Sequence, residues 1–182
     1  MPPNLETKRP GDLARQWWRG LQPAPDRGRP GDRAALARLR RADVGSAMMD
    51  EAALGLFRIF GWRSPSRLPR IATLACVLAH VRTDIENSFG SAIGRDSIDD
   101  KDSAVLSVVR FQRLLNADTE EEIERGFRRA VALLGGEANV ADLARIILFF
   151  DDEETRRRLA FDYFAAGVAA PSSSDPGNAA SA

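Results

Sequence analysis

The sequence predicts an all-α fold, a single compact bundle-like domain of about eight helices with disordered termini. Three observations carry this. Apolar residues recur three and four positions apart in segment after segment. No stretch alternates apolar with polar as a half-buried strand does. Cap residues and Gly or Pro punctuation fall where the periodic segments begin and end. Residues 1–10, with three prolines and no periodicity, read as a disordered segment, residues 11–166 as the helical domain, and residues 167–182 as a disordered tail of Ala, Ser, Pro, Gly and Asn.

A first helix is expected from Asp12 to Leu21, with Leu13, Trp17 and Leu21 on one face. At least one of Trp17 and Trp18 belongs in the core, and Trp18 could instead stack on a base. Residues 22–31 form a Pro/Gly loop holding Arg27 and Arg29. Asp32 is an N-cap for a helix to Ala42 in which Leu36 and Leu39 share a stripe and Arg33, Arg38, Arg40 and Arg41 spread opposite. No acid lies between Arg33 and Ala42, so these guanidiniums lack an i,i+4 partner. That face is either solvated or matched by an anion from elsewhere, carboxylate or phosphate.

Val44–Met49 reads as a connector and Glu51–Phe60 as a short helix stopped by Gly61, with Leu54, Phe57 and Phe60, or Leu56 and Ile59, facing the core. The turn from Gly61 to Arg67 is basic with Trp62 at its base. Pro69 suits the first turn of a helix from Leu68 to about Arg82, apolar on most sides and therefore central. Residues 83–101 form a polar stretch anchored by Phe89 and Ile93, with Asp96, Asp99, Asp100 and Asp102 close together but not in calcium-loop spacing. Four elements finish the domain. Ser103–Leu115 is closed by Asn116. A helix capped by Asp118 opens on Glu120-Glu121-Glu122 and ends at Gly135-Gly136. Val140–Phe150 is capped by Asn139, and a last helix opens on Asp151–Glu154. Arg125, Arg128 and Arg129 lie towards the negative end of the second of these, where the helix macrodipole alone explains them.

The 44% hydrophobic and 29% charged residues are ordinary for a folded protein of 182 residues, long enough for one proper core. No run approaches a membrane span, the first residues lack a signal-peptide core, and a lone Cys76 excludes an internal disulfide and a cysteine zinc site, so a cytoplasmic location is expected. The formal charge of +0 hides a division. Residues 1–83 hold 15 basic and 7 acidic side chains, a surplus of eight, and residues 84–182 hold 11 and 19, a deficit of eight. Such a split suits a nucleic-acid surface, head-to-tail association, or both. All basic residues but Lys8 and Lys101 are arginine, which fits phosphate forks and base stacking and equally fits a GC-rich coding bias. No glycine-rich phosphate loop, nucleophile elbow or two-histidine metal motif is present. The lone His80 reads as structural, so no enzyme and no cofactor is expected.

The landmarks run in a specific order: Trp17-Trp18 with Leu21; Arg33-Ala34 with Leu39-Arg40-Arg41-Ala42; Phe60-Gly61-Trp62; Ser88-Phe89-Gly90; Val109-Arg110-Phe111-Gln112-Arg113-Leu114-Leu115; Phe127-Arg128-Arg129; Asn139-Val140 with Leu143-Ala144; Asp162-Tyr163-Phe164. From Asp12 to Phe164 this resembles the CasB family, the small subunit of the type I-E CRISPR surveillance complex, Cascade. The resemblance implies a non-catalytic helical protein, packed head to tail with a second copy. It implies contacts with the Cascade backbone subunits that hold guide RNA, with the large subunit, and with target DNA strands in the R-loop, and it implies no membrane. On the residues that match, Arg41, Arg67 and Arg110 correspond to basic positions of the family's nucleic-acid face, and Arg128 and Arg129 to a further pair. Arg63 and Arg70 are the alternatives to Arg67. Clustering adds Arg33, Arg38, Arg40 and Arg113. The competing expectation is a pure scaffold whose arginines meet a neighbouring subunit's acids. The nucleic-acid expectation requires Arg41, Arg67 and Arg110 to converge on one track, unlocked by carboxylates.

Overall fold

The central helix is dictated by composition. A 13-residue segment with apolar side chains all round must be enclosed, and Leu68–His80 (α5) buries every residue from Arg70 to Ala79. The computed structural model describes residues 9–24, 28, 30–94 and 104–166. Residues 1–8 of the segment 1–10 expected to be disordered, the tail 167–182, Arg27, Arg29, and the acids Asp96, Asp99, Asp100 and Asp102 lie outside these, whereas Arg9 and Pro10 of that segment are described as the start of the first helix.

Before α5 come α1 (Pro10–Leu21), α2 (Arg33–Arg41), α3 (Val44–Ala47) and α4 (Glu51–Ile59). After it come β1 (Thr83–Asp84), α6 (Phe89–Ile93), α7 (Val108–Leu115), α8 (Glu120–Leu133), β2 (Glu137–Ala138), α9 (Val140–Leu148) and α10 (Glu153–Ala165). Helices α2, α3, α4, α8 and α9 all pack on α5, while α1 lies along α9 and α10 along α6. The all-α architecture is as expected, with ten α-helices among the described residues against about eight expected. The Val44–Met49 connector contains α3, capped by Asp43, and the polar stretch after α5 contains α6, capped by Ser88.

Caps set most boundaries. Asp32, Asp50, Asn139 and Asp152 each accept a first-turn amide. Three starts differ from expectation. Helix α1 begins at Pro10 and not Asp12, because proline suits the first turn of a helix. Helix α8 is capped by Thr119, not Asp118, because Thr119 and Glu122 satisfy each other's amides as a capping box. Helix α7 begins at Val108, after Ser107, because Leu106 precedes it with its side chain buried and its carbonyl accepting from Tyr163 Oη at 2.6 Å.

Both early tryptophans are core, which removes base stacking by Trp18. Their indole N–H groups donate to Ala52 O and Val81 O, each at 3.1 Å. On α4 the buried residues are Ala53 and Leu56, Phe57 and Phe60 pack at the edge, and Ile59 is exposed. Phe111 stacks on Tyr163 with centroids 3.8 Å apart, and Phe127 contacts Phe89 and Phe150.

The two halves of the chain interleave. Arg70, only 7% exposed, donates to Glu120 (2.8 Å), Asp151 (2.9 Å) and Ile147 O (2.8 Å), and Thr73 Oγ1 donates to the same Glu120. Arg15 and Arg19 pair with Asp84. Two strands were not foreseen: β1 and β2 form a parallel bridge, Thr83 opposite Glu137 and Asp84 opposite Ala138. It follows Gly135 and Gly136, both at positive φ (67° and 86°), which turn the chain out of α8.

Candidate nucleic-acid interface

Helix α2 buries Ala35, Leu36 and Leu39 and leaves its arginines outward or at the edge. Their partners are not those expected. Arg38 Nε donates to Asp50 Oδ2 at 2.8 Å, so one guanidinium of the four has an anion, supplied by the N-cap of α4. Burial pushes the Asp50 carboxyl up, and hydrogen bonds from Arg38 and the Ala52 amide outweigh this and leave its pKa low. Arg40 is half-buried and donates to Ala79 O (2.7 Å) at the end of α5. Arg41 is exposed and bonds only to Ala37 O of its own helix (2.9 Å). Arg33 is exposed and unpaired among the described residues.

Helices α5 and α8 run side by side, Thr73 level with Glu120. At the other end of α5 the charges that act on His80 are those of Arg128, Arg40 and Arg82. Burial first, then these cations, lower its pKa. The end of α2 and the middle of α8 thus converge around a half-buried imidazole. Arg128 is also tied to Glu124 (3.0 Å), so of the expected pair one arginine is held within its helix and Arg129 is free.

An open positive feature lies between α7 and α8. A 116–119 turn sends α8 back against α7, and Gly126 permits the close approach: a Cβ there would sit 2.7 Å from Leu114 Cδ1. The resulting groove, about 670 Å³, has Leu106, Leu114 and Gly126 on its apolar floor and Arg110, Arg113, Arg125 and Arg129 on its walls. One carboxylate, Glu122, shares the lining. It is occupied by the amides of Asp118 and Thr119, which hold its pKa below the usual carboxylate value. None of the four guanidiniums is paired among the described residues. Arg110, Arg113 and Arg129 are the sequence-expected ones. Arg125 was assigned to the macrodipole alone, although its i,i+4 spacing with Arg129 puts both on one face.

Arg67 stands apart. It precedes α5, about 20 Å along the axis from the His80 end, and its guanidinium lies over Trp62. Arg63 is exposed nearby, whereas Arg70 is buried in its ion pairs and closed to any ligand. Arg41, Arg67 and Arg110 are all free of carboxylates among the described residues, as the nucleic-acid expectation requires, but they lie on α2, before α5 and on α7, and the single track through all three that it also requires is not seen. The α7–α8 groove, rather than that track, is the arrangement that can hold a polyanion by its phosphates. Among the described residues no cluster of His, Cys, Asp or Glu is arranged to hold a metal, and no helix is long and apolar enough to cross a membrane.

Comparison with known proteins supplies a frame for this surface. No curated protein and no solved structure matches the chain. The family model described as CRISPR-associated protein Cse2 matches residues 34–164, from the second residue of α2 into α10, leaving the Trp17-Trp18 and Leu21 landmark, Arg33 and the two ends outside. That match takes in well over half of the 182 residues and agrees with the resemblance to CasB, so the chain belongs to the Cse2 family, a structural rather than a known enzymatic subunit of the CRISPR Cascade complex.

Proposed function

We propose that this subunit binds the sugar-phosphate backbone of nucleic acid through its arginines and stabilises the R-loop while Cascade recognises antiviral target DNA. The observation that carries this is the α7–α8 groove, with four unpaired guanidiniums against one occupied carboxylate. Guide pairing reads the sequence, so a subunit of this kind needs no base-edge code. Exchange of DNA duplex for heteroduplex is nearly balanced, and modest backbone contacts tip it. Arg110, Arg113, Arg125 and Arg129 form the principal contact, and Arg33, Arg40 and Arg41 on α2, Arg128, and Arg67 extend it. Target DNA strands and guide RNA are the ligands. The backbone subunits, the large subunit and a second copy, head to tail, are the protein neighbours, in the cytoplasm.

A second reading, a scaffold with no nucleic-acid contact, has its own support. Phe161, Phe164 and Val109 are 72%, 48% and 62% exposed, apolar surface of the kind subunit contacts cover. Alanine at the four groove arginines separates the two readings. Loss of salt-dependent binding to single strands with Cascade assembly intact supports the first. Loss of assembly, with no strand binding by the isolated wild-type chain, supports the second.

A further inference from the structure

The turn after α4 holds a second kind of ligand-ready surface. Gly61 at φ 65° reverses the chain and sets Trp62 against Phe60, ring centroids 4.9 Å apart and planes at 19°. Both rings are half-buried and lean on the core. A 3-10 turn, Pro65–Arg67, then brings Arg67 back so that its guanidinium carbon lies 5.2 Å from the Trp62 centroid. Arg58, Arg63 and Arg67 are exposed and none pairs with a carboxylate among the described residues.

Trp62 differs from the other two tryptophans. Trp17 and Trp18 are buried with their indole N–H groups bonded to carbonyls, whereas that of Trp62 has no partner among the described residues. A half-exposed indole stacked on Phe60, with the Arg67 guanidinium over it and unpaired Arg58 and Arg63 a few residues away in the same turn region, suits a planar, electron-accepting ring that carries negative charge beside it. An unpaired nucleotide has that chemistry. Resting on the nucleic-acid reading above, we propose that Trp62 and Arg67 form a stacking site for one unpaired nucleobase, with Arg58 and Arg63 on the flanking phosphates. The base enters over the indole in place of the guanidinium, since an exposed cation–π contact is weaker than a base–aromatic stack. Arg67 then turns to the adjacent phosphate. The site tolerates any base, because every base has a π-face.

The test uses the full chain with two single-stranded probes of equal charge, an oligothymidylate and its abasic counterpart. Binding is read by probe anisotropy and by tryptophan emission, to which buried Trp17 and Trp18 contribute a constant background. The oligothymidylate should bind about tenfold more tightly than the abasic probe and quench emission, and the abasic probe should bind without quenching. Trp62→Ala should bring oligothymidylate down to the abasic affinity. Arg67→Ala should weaken the oligothymidylate, whose base turns Arg67 to a phosphate, and leave the abasic probe less affected. Equal binding of the two wild-type complexes with unmoved emission overturns the stacking site and leaves backbone binding standing. Failure of both probes to bind overturns both. The wild-type comparison decides the matter even where Trp62→Ala fails to fold.

Discussion

Replacing Arg110 and Arg113 by alanine tests the groove quantitatively. Both side chains are exposed and unpaired among the described residues, so their loss leaves no buried partner behind. The cost in stability should stay within about 0.5 kcal/mol, as for other surface changes. Binding is a different matter. Each phosphate contact on a single strand contributes about −0.7 to the slope of log K against log salt. Two lost contacts flatten that slope by about 1.4. Taking about 1 M salt as the point where counterion release contributes nothing, the variant should bind about 25-fold more weakly at about 0.1 M and equally at 1 M. Removing Arg125 and Arg129 as well doubles the slope change to about 2.8 and raises the loss to about 600-fold. The assay is anisotropy of a labelled single strand titrated across a salt series, with circular dichroism to verify helicity. Two lines that fall in parallel would mean that the lost interactions were not with phosphate, and superimposed lines would mean that the groove holds no strand. Either result refutes the step from free guanidiniums to backbone binding.

Three further outcomes follow from the same geometry. Thr119→Ala removes half of the capping box at α8 and should cost about 1 kcal/mol, seen as a fall of about 2–4 °C in thermal midpoint for a chain of this size. Arg70→Met takes the guanidinium from Glu120, Asp151 and Ile147 O; Asp151 stays solvated and Glu120 keeps the Thr73 hydroxyl, so the variant should lose about 1–3 kcal/mol in urea unfolding, the cost of a buried acceptor left without its donor. The depressed His80 pKa makes the folded state bind fewer protons than the unfolded one below pH about 6.5. Stability from this group is therefore complete above that pH and is lost as pH falls through the folded value. His80→Gln should flatten that part of the urea-midpoint profile relative to wild type.

What could be read from the sequence divides by length of segment. Helices α2, α8 and α9 carry an apolar stripe together with a cap, and α5 an all-apolar run with Pro69 in its first turn, and those paired signals place them within a residue or two. Helices α3 and α6 span four and five residues, too short for a 3.6-residue period to show, and their caps, Asp43 and Ser88, were the only sign. The early start given to α7 has a different cause. Leu106 sits at a helical interval, yet it is drawn into the core ahead of the helix by Tyr163. The site divides in the same way. Arg110 and Arg113 could be found by their one-turn spacing, but a groove needs two helices. The turn at 116–119 brings Arg125 and Arg129 opposite them, with the Leu114 side chain resting against Gly126. Arg38 fails for a like reason, since its carboxylate lies 12 residues away on another helix.

The charge division also changes meaning once folded. A surplus of eight in residues 1–83 and a deficit of eight in residues 84–182 suggest two charged ends, but α1 lies on α9 and α5 on α8, so the halves occupy the same space. Arg70 with Glu120 and Asp151, and Arg15 and Arg19 with Asp84, cancel part of the division inside the molecule. Head-to-tail packing therefore draws no support from that division. What remains available is local: unpaired arginines in the α7–α8 groove, along α2 and around Trp62, on a protein whose formal charge is zero. At physiological salt, with screening over about 8 Å, such patches attract a strand only at close range. The isolated chain should accordingly hold nucleic acid weakly and lose it steeply with salt, and firm holding requires neighbours that deliver the strand to these patches. On the function proposed above, a surface built this way would act on DNA already opened rather than search for it.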